Sequence, residues 1–335
     1  MKKIILNILK FITFLSLGVV MMWLAFRDFN WQEFVGTLKK ANYWWVALSM
    51  VIAYIGFWAR AKRWQLLIEP LGYKVGLENA YHGVMIGYGA NFLLPRIGEV
   101  SRCAVLNRTD KVPFDALIGT VIIERAMDLL MLILMLVFVF FAKLNFFGSY
   151  LHHKVLMPVV KVFQQHWLLT LVFVLFCIAC VTLVFVFKSR IKKVAMVQKI
   201  SALGKGVKGG IITAFKMKRK FEFLLYSVII WVGCYWIMTW IPVLALPATA
   251  NLDLMDGMFL LVIGGIAITA PVQGGYGVFH GAIILALTTL YQMKIVDARA
   301  FAVIIHESQS FMMIILGIFS FVYISLRNRK KKTEQ

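Results

Sequence analysis

The stretch GYGANFLLPRIGEVSR, Gly87–Arg102, decides how this chain folds. It opens as a membrane helix, and the apolar run then stops at Pro95, with Arg96, Glu99 and Arg102 close behind. Proline removes a backbone donor and clashes with the preceding turn, and Gly98 is expected to let the chain turn sharply. A half-helix that ends inside a bilayer leaves carbonyls in need of protein or water donors. Arg96 and Arg102 can supply them, and each guanidinium can also grip a lipid phosphate with two parallel hydrogen bonds. The plainer reading is a cytoplasmic turn whose charges snorkel to the interface. Glu99 among them argues for a specific network.

The surrounding chain sets the context. Of 335 residues, 61% are hydrophobic and 15% charged, against about half and a quarter in soluble domains, and the mean hydropathy is +0.82. Full spans are predicted at Ile4–Phe26, Tyr43–Ile68, Ala116–Ala142, Trp167–Phe187, Phe223–Leu246 and Arg299–Leu326. Two shorter apolar runs, Tyr81–Leu94 and Gly257–Ala270, are too short to cross a bilayer core of roughly 30 Å and fit re-entrant segments. The fold class is therefore an all-α polytopic membrane protein with six full transmembrane helices and two opposed re-entrant segments. The N-terminal apolar run is too long for a signal peptide and reads as an uncleaved first span. No stretch has the composition of a soluble domain.

A net charge of +21 raises the question of nucleic acid, but the basic residues sit between apolar spans, where orientation and lipid contact explain them. With a cytoplasmic N-terminus and two non-crossing short runs, 27 of the 36 Lys and Arg fall on the cytoplasmic side, counting Arg60 and Arg63 there, and 8 fall outside. Arg125 lies within a span. Both termini are then cytoplasmic, with the chain in a cytoplasmic (inner) membrane. The order of two spans, a short run and one span occurs twice, in opposite orientations, over 1–142 and 155–326. That is an inverted-topology repeat, a pointer to a midplane substrate site in transporters. Aligning Pro95 with Pro271 also sets Gly89 against Gly265 and Gly98 against Gly274. The basic segment 188–222 reads as interfacial helices on the inner leaflet, and 327–335 as a basic cytoplasmic tail.

Two further constellations carry charge into the spans. In VIIERAMDLLMLI, Glu124, Arg125 and Asp128 sit in an otherwise apolar helix. Each charge costs about 2.5–3.5 kcal/mol at the bilayer centre, so each is expected to face the protein interior. Glu124 and Asp128 share a face and repel unless a cation lies between them. Arg125 can reach Asp128, and Arg96 or Arg102 can serve Glu124. Either a structural ion network or a polar path for a headgroup or proton accounts for them. In the second half, His306 and Glu307 lie mid-span, Gln309 and Ser310 follow at helical spacing, and His280 follows the glycine turn. Buried His and Glu titrate readily, although a lone inward His is commonly just hydrogen-bonded. Cys103, Cys177, Cys180 and Cys234 read as small buried apolar residues, with no disulfide and no zinc expected. No metal site, cofactor motif, ATP-binding loop or nucleophile motif is read.

NFLLPRIGEVSRCAVL, GTVIIERAMDLLMLI and PVQGGYGVFHGAI together resemble the lysylphosphatidylglycerol synthase transmembrane-region family, over about Tyr43–Leu326. That family includes the flippase part of the bacterial multiple peptide resistance factor. The family pattern falls on Pro95, Arg96, Gly98, Glu99, Arg102, Glu124, Arg125 and Asp128, and on Pro271, Gly274, Gly275 and Gly277. Gln273 lies among the latter. Many members carry Glu where this chain has His280, a departure that bears on which lipid is handled. The resemblance implies a protein that moves or handles a lipid with a polar headgroup. It gives no aminoacyl-transferring domain, and hence no expectation of an enzyme. Expected partners are anionic or polar-headgroup phospholipids, with homo-oligomerisation and a lipid-modifying enzyme partner left open. Two other readings stand beside transport: an accessory scaffold of an envelope-lipid pathway, and an intramembrane acid–base enzyme using Glu124, Asp128, His306 and Glu307.

Overall fold

The computed structural model describes residues 2–143 and 218–333. The expected span Trp167–Phe187, most of the basic segment 188–222, Cys177 and Cys180 lie outside the described residues. Those residues form ten helical elements and no strand. In chain order these are α1 (Lys2–Ala25), α2 (Trp31–Lys39), α3 (Tyr43–Ile68), α4 (Leu77–Leu93), α5 (Ile97–Thr109), α6 (Phe114–Ala142), α7 (Lys220–Ala245), α8 (Leu254–Ile268), α9 (Val278–Leu290) and α10 (Ile295–Thr333). Among the described residues, Tyr43–Leu71, Phe114–Ala142, Lys220–Ala245 and Ile295–Arg329 are long and apolar enough to cross a membrane. Their outer faces are apolar: Leu134, Phe138, Phe141, Phe311, Phe319 and Phe321 are all exposed. The chain is an integral membrane protein by this architecture.

Local chemistry explains the boundaries. The Asn30 side chain accepts from the Glu33 amide to open α2, and Asn42 from the Trp44 amide to open α3. Asp253 and Asp256 form a reciprocal capping box on α8. Leu94, before Pro95, is extended at φ −140°, which ends α4. The chain then reverses through Arg96 at φ 62°. The sharp turn expected at Gly98 is thus made by Arg96 instead. Gly98 lies inside α5, where a Cβ would strike the Gly87 carbonyl oxygen and the Asn91 side chain. Its missing side chain lets α4 and α5 touch.

α4 and α5 form an antiparallel hairpin, as do α8 and α9, where Phe279 packs on Gly264 and Phe259 faces Tyr291. The arms of 13 to 17 residues are about 20–26 Å long. The hairpins start from opposite ends of the molecule. One end gathers the close of α3, the start of α4, the start of α7 and the close of α10, tied by Arg219 to Glu69 and Arg327 to Asn79. The other gathers the starts of α3, α8 and α10 with the closes of α1, α6 and α7, tied by the Asn42 amide to the Ala245 carbonyl, Lys143 to Asp253, and Arg299 to the Ala25 carbonyl. The hairpin tips meet between these ends. Arg96 Nη2 donates to the Thr269 carbonyl at 3.0 Å, and Phe92 packs on Gly274 and Tyr276.

The last long helix of each half leans on the first arm of the other half's hairpin. α10 packs on α4 where Gly317 meets Gly89, and α6 packs on α8 where Leu132 meets Gly265. The segment 327–335, read as a tail, continues α10 as helix to Thr333. Within α7, Ile229–Trp236 is π-helical, a widening the apolar run gives no hint of.

Candidate functional site

The first polar site lies where α3, α5, α6 and α7 converge behind the α4–α5 hairpin. α6 brings Glu124 and Asp128 to one inward face. Glu124 is fully buried, with Oε1 2.8 Å from Arg60 and 3.2 Å from Arg63, and Oε2 2.8 Å from Arg102 Nη1. Asp128 Oδ1 lies 2.7 Å from Arg63 and accepts from Trp231 Nε1 at 3.1 Å, while Oδ2 lies 2.8 Å from Arg60. Tyr235 Oη accepts from Arg60 Nη1 at 2.7 Å and lies 3.4 Å from Tyr88 Oη. Trp231 and Tyr235 both come from the π-helical turn of α7, in line with such turns marking functional places. Arg102 stacks its guanidinium 4.7 Å from the Trp64 ring.

Arg60 and Arg63 are the residues that sequence reasoning missed. They were counted as cytoplasmic positive charges, yet both lie on α3 and are buried. The loop tally loses these two and stays strongly asymmetric. A signal was present: two arginines at i,i+3 inside a predicted span need anions, and two carboxylates at i,i+4 inside another need cations. Arg102 serves Glu124 as expected, whereas Arg96 does not and reaches the second hairpin tip instead. Arg125 lies 4.0 Å from Asp128 and pairs more closely with Glu99, at 2.9 Å.

Arg60, Arg63, Arg102 and Arg125 therefore meet Glu99, Glu124 and Asp128, leaving one positive charge in surplus. That surplus borders a small open cleft of about 10 Å³, space for about one water molecule, lined by Tyr88, Asn91, Gly98, Glu99, Arg102 and Arg125, among others. Arg102 Nε and Nη2 are buried there without a hydrogen-bond partner. Asn91 Oδ1 accepts from the Gly98 amide at 2.8 Å, which fixes the cleft rim. Unpaired guanidinium donors in a dry site are costly, and the arrangement suits an incoming anion with several oxygens.

The second polar site gathers at the tip of the α8–α9 hairpin. Val272–Gly277 follows Pro271, with Gly274, Gly275 and Gly277 at φ 55°, 77° and 78°. His280 on α9 and His306 and Glu307 on α10 come together, with Glu307 Oε1 3.3 Å from His280 Nε2 and 3.1 Å from His306 Nδ1. Tyr276 donates to Glu307 Oε2 at 2.9 Å, and His306 Nε2 lies 2.9 Å from the Gly274 carbonyl. Gly275 backs onto Ile268 and His306, and Gly277 sits against the Gly18 carbonyl of α1. Gln273 Nε2 is buried without a partner. Gln309 leaves the cluster, donating to Ser49 Oγ on α3 at 3.2 Å.

Comparison with known proteins identifies relatives by sequence. A UPF0104 membrane protein of Methanocaldococcus jannaschii is 25% identical over 125 residues, which are 36% of this chain and 36% of that protein. The chain therefore aligns with about a third of that relative's length. No solved structure shows a significant match. The family described as Lysylphosphatidylglycerol synthase TM region matches residues 7–317, a stretch that takes in both hairpins and both polar sites. The chain belongs to the lysylphosphatidylglycerol synthase transmembrane-region family.

Proposed function

We propose that this protein translocates a phospholipid with a polar, phosphate-bearing headgroup across the membrane, and that the two hairpins are re-entrant segments flanking its route. The observation that carries this reading is the cleft beside Arg102, where buried guanidinium donors without partners sit in a network with one surplus positive charge. A headgroup phosphate entering the cleft takes up Arg102 Nε and Nη2, with half-exposed Arg125 adding charge at the mouth. Glu99, Glu124 and Asp128 hold the guanidiniums apart and aimed, which keeps a polar route open in an apolar surround.

The repeated arrangement supports the same reading. Each half offers a hairpin of arms shorter than the roughly 30 Å bilayer core, entering from its own side, with the tips in contact and each half's last helix bracing the other's hairpin. This is what an inverted repeat over 1–142 and 155–326 requires. The basic end, with Lys74, Arg108, Lys111, Arg219 and Arg327, faces the cytoplasm in this reading. No chemical step is assigned to Glu124 and Asp128, since both are engaged by arginine.

The test is reconstitution in liposomes containing headgroup-labelled anionic phospholipid, following loss of inner-leaflet protection. Wild-type protein is expected to flip the lipid, and Arg102→Gln to slow it by about tenfold or more, given roughly 1.5–3 kcal/mol for a hydrogen bond to a charged group. Flipping by wild type no faster than in protein-free vesicles, or equal flipping by Arg102→Gln, overturns the reading.

A further inference from the structure

The second polar site carries an inference independent of the lipid route. His306 Nε2 lies 2.9 Å from the Gly274 carbonyl oxygen. A carbonyl only accepts, so Nε2 carries the proton in that hydrogen bond. In a neutral ring Nδ1 is then a lone pair, and it faces Glu307 Oε1 at 3.1 Å. Ser310 Oγ, at 3.4 Å, is a long donor to the same nitrogen. A lone pair and a carboxylate oxygen set that close are joined either by a second ring proton or by a metal cation between them.

A third donor meets the same point. His280 Nε2 lies 3.3 Å from the same Oε1, and neither nitrogen of His280 has a hydrogen-bond partner although the residue is 1% exposed. The three ligand atoms all lie within 4.8 Å of one another. Bonds of about 2.0–2.2 Å to a tetrahedral zinc place neighbouring ligands about 3.3 Å apart. Both imidazole–carboxylate spacings match that.

The surroundings match what such ligands need. A metal-bound histidine donates its far N–H to a carbonyl or carboxylate, as His306 does to Gly274. The ligating carboxylate is itself hydrogen-bonded, as Glu307 is by Tyr276 at 2.9 Å. Glu124 and Asp128 have arginines against them, whereas the ion partners of Glu307 are the two histidines. The Glu307 side chain is also 39% exposed, which leaves a coordination position open.

We propose that His280 Nε2, His306 Nδ1 and Glu307 Oε1 bind one divalent transition-metal ion; two imidazoles with one carboxylate suit zinc or iron(II), and zinc, which has no redox chemistry, is the probe that tests the site. The ion ties the Pro271–Gly277 tip to α9 and α10. His280 lies on a different helix from the other two ligands, so no spacing in the chain reveals the trio.

The experiment uses the full chain, purified in detergent through a tag without histidine and stripped with a chelator. Zinc chloride is titrated in by calorimetry, bound zinc is counted by mass spectrometry, and X-ray absorption reads the ligands of the zinc-loaded wild type. One zinc per chain is expected, with a shell of imidazole and oxygen and no thiolate. His152→Ala/His153→Ala retains it. His280→Ala, His306→Ala and Glu307→Gln lose it, and Tyr276→Phe binds about 10–100-fold more weakly, as expected for an outer partner of a ligand. Wild type that takes up no stoichiometric zinc, a thiolate shell, or retention of the zinc by the folded histidine variants overturns the proposal. The wild-type readings decide the matter even where a variant fails to fold.

Discussion

Replacing Glu124 by glutamine removes one charge and keeps the shape of the side chain. The consequence follows from three contacts: Arg60 at 2.8 Å, Arg63 at 3.2 Å and Arg102 at 2.8 Å. All four residues are buried; Arg60 and Arg63 keep Asp128, whereas Arg102 loses its carboxylate partner. Breaking a buried pair by removing one partner costs about 3–5 kcal/mol. At about 2–4 °C per kcal/mol, the melting temperature should fall by roughly 6–20 °C. A thiol-reactive fluorophore provides the assay, since Cys103 and Cys234 are buried free thiols that react once the fold opens. Arg125→Gln is the comparison, because Arg125 is half-exposed and its pair with Glu99 is worth about 1 kcal/mol or less. Arg63→Met/Glu124→Met, which deletes matched charges, should recover part of the loss, since apolar replacement of a buried pair is often near neutral. If Glu124→Gln melts within 2 °C of wild type, or no lower than Arg125→Gln, the network is not the dry, mutually compensated cluster described.

Two other outcomes follow from the packing and the caps. Gly317→Leu should destabilise by about 1–3 kcal/mol or more through overpacking, because even a Cβ there lies 3.0 Å from Gly89 Cα and from the Met85 carbonyl oxygen; the same thermal assay reads it. At the α6–α8 end, burial pushes the Asp253 carboxyl up, but hydrogen bonds from Lys143 and the Asp256 amide outweigh it and hold the group below its ordinary value. A folded-state value below the unfolded one stabilises above the unfolded pKa, about 3.9, and is lost as pH falls through the folded value. The melting difference between wild type and Lys143→Met should therefore stay flat from pH 8 to pH 5 and shrink only below about pH 4; a difference that disappears near pH 6 would contradict the pairing.

The sequence alone determined what is costly in lipid. Apolar run lengths placed α3, α6, α7 and α10 to within a few residues at most termini, and Pro95 placed the end of α4, because both signals are local to the backbone. The burial of Glu124 and Asp128 was legible too, since a charge facing lipid is costly, but Arg125, expected to face inward with them, stays half-exposed and pairs with Glu99. Tertiary structure alone decided who answers those charges. Arg60 and Arg63 meet Glu124 and Asp128 from more than 60 positions away in the chain, and nothing in the spacing of either segment names the other. Arg96 sits in the predicted motif yet reaches the opposite hairpin tip, because its left-handed backbone points it there. Gly98 is small for the sake of a helix contact, not a turn, which only the approach of α4 reveals. His280 finds His306 and Glu307 only once α9 folds back beside α10. Desolvation cost is a property of one residue and its neighbours in the chain, whereas compensation depends on distance in space, and that is set by packing.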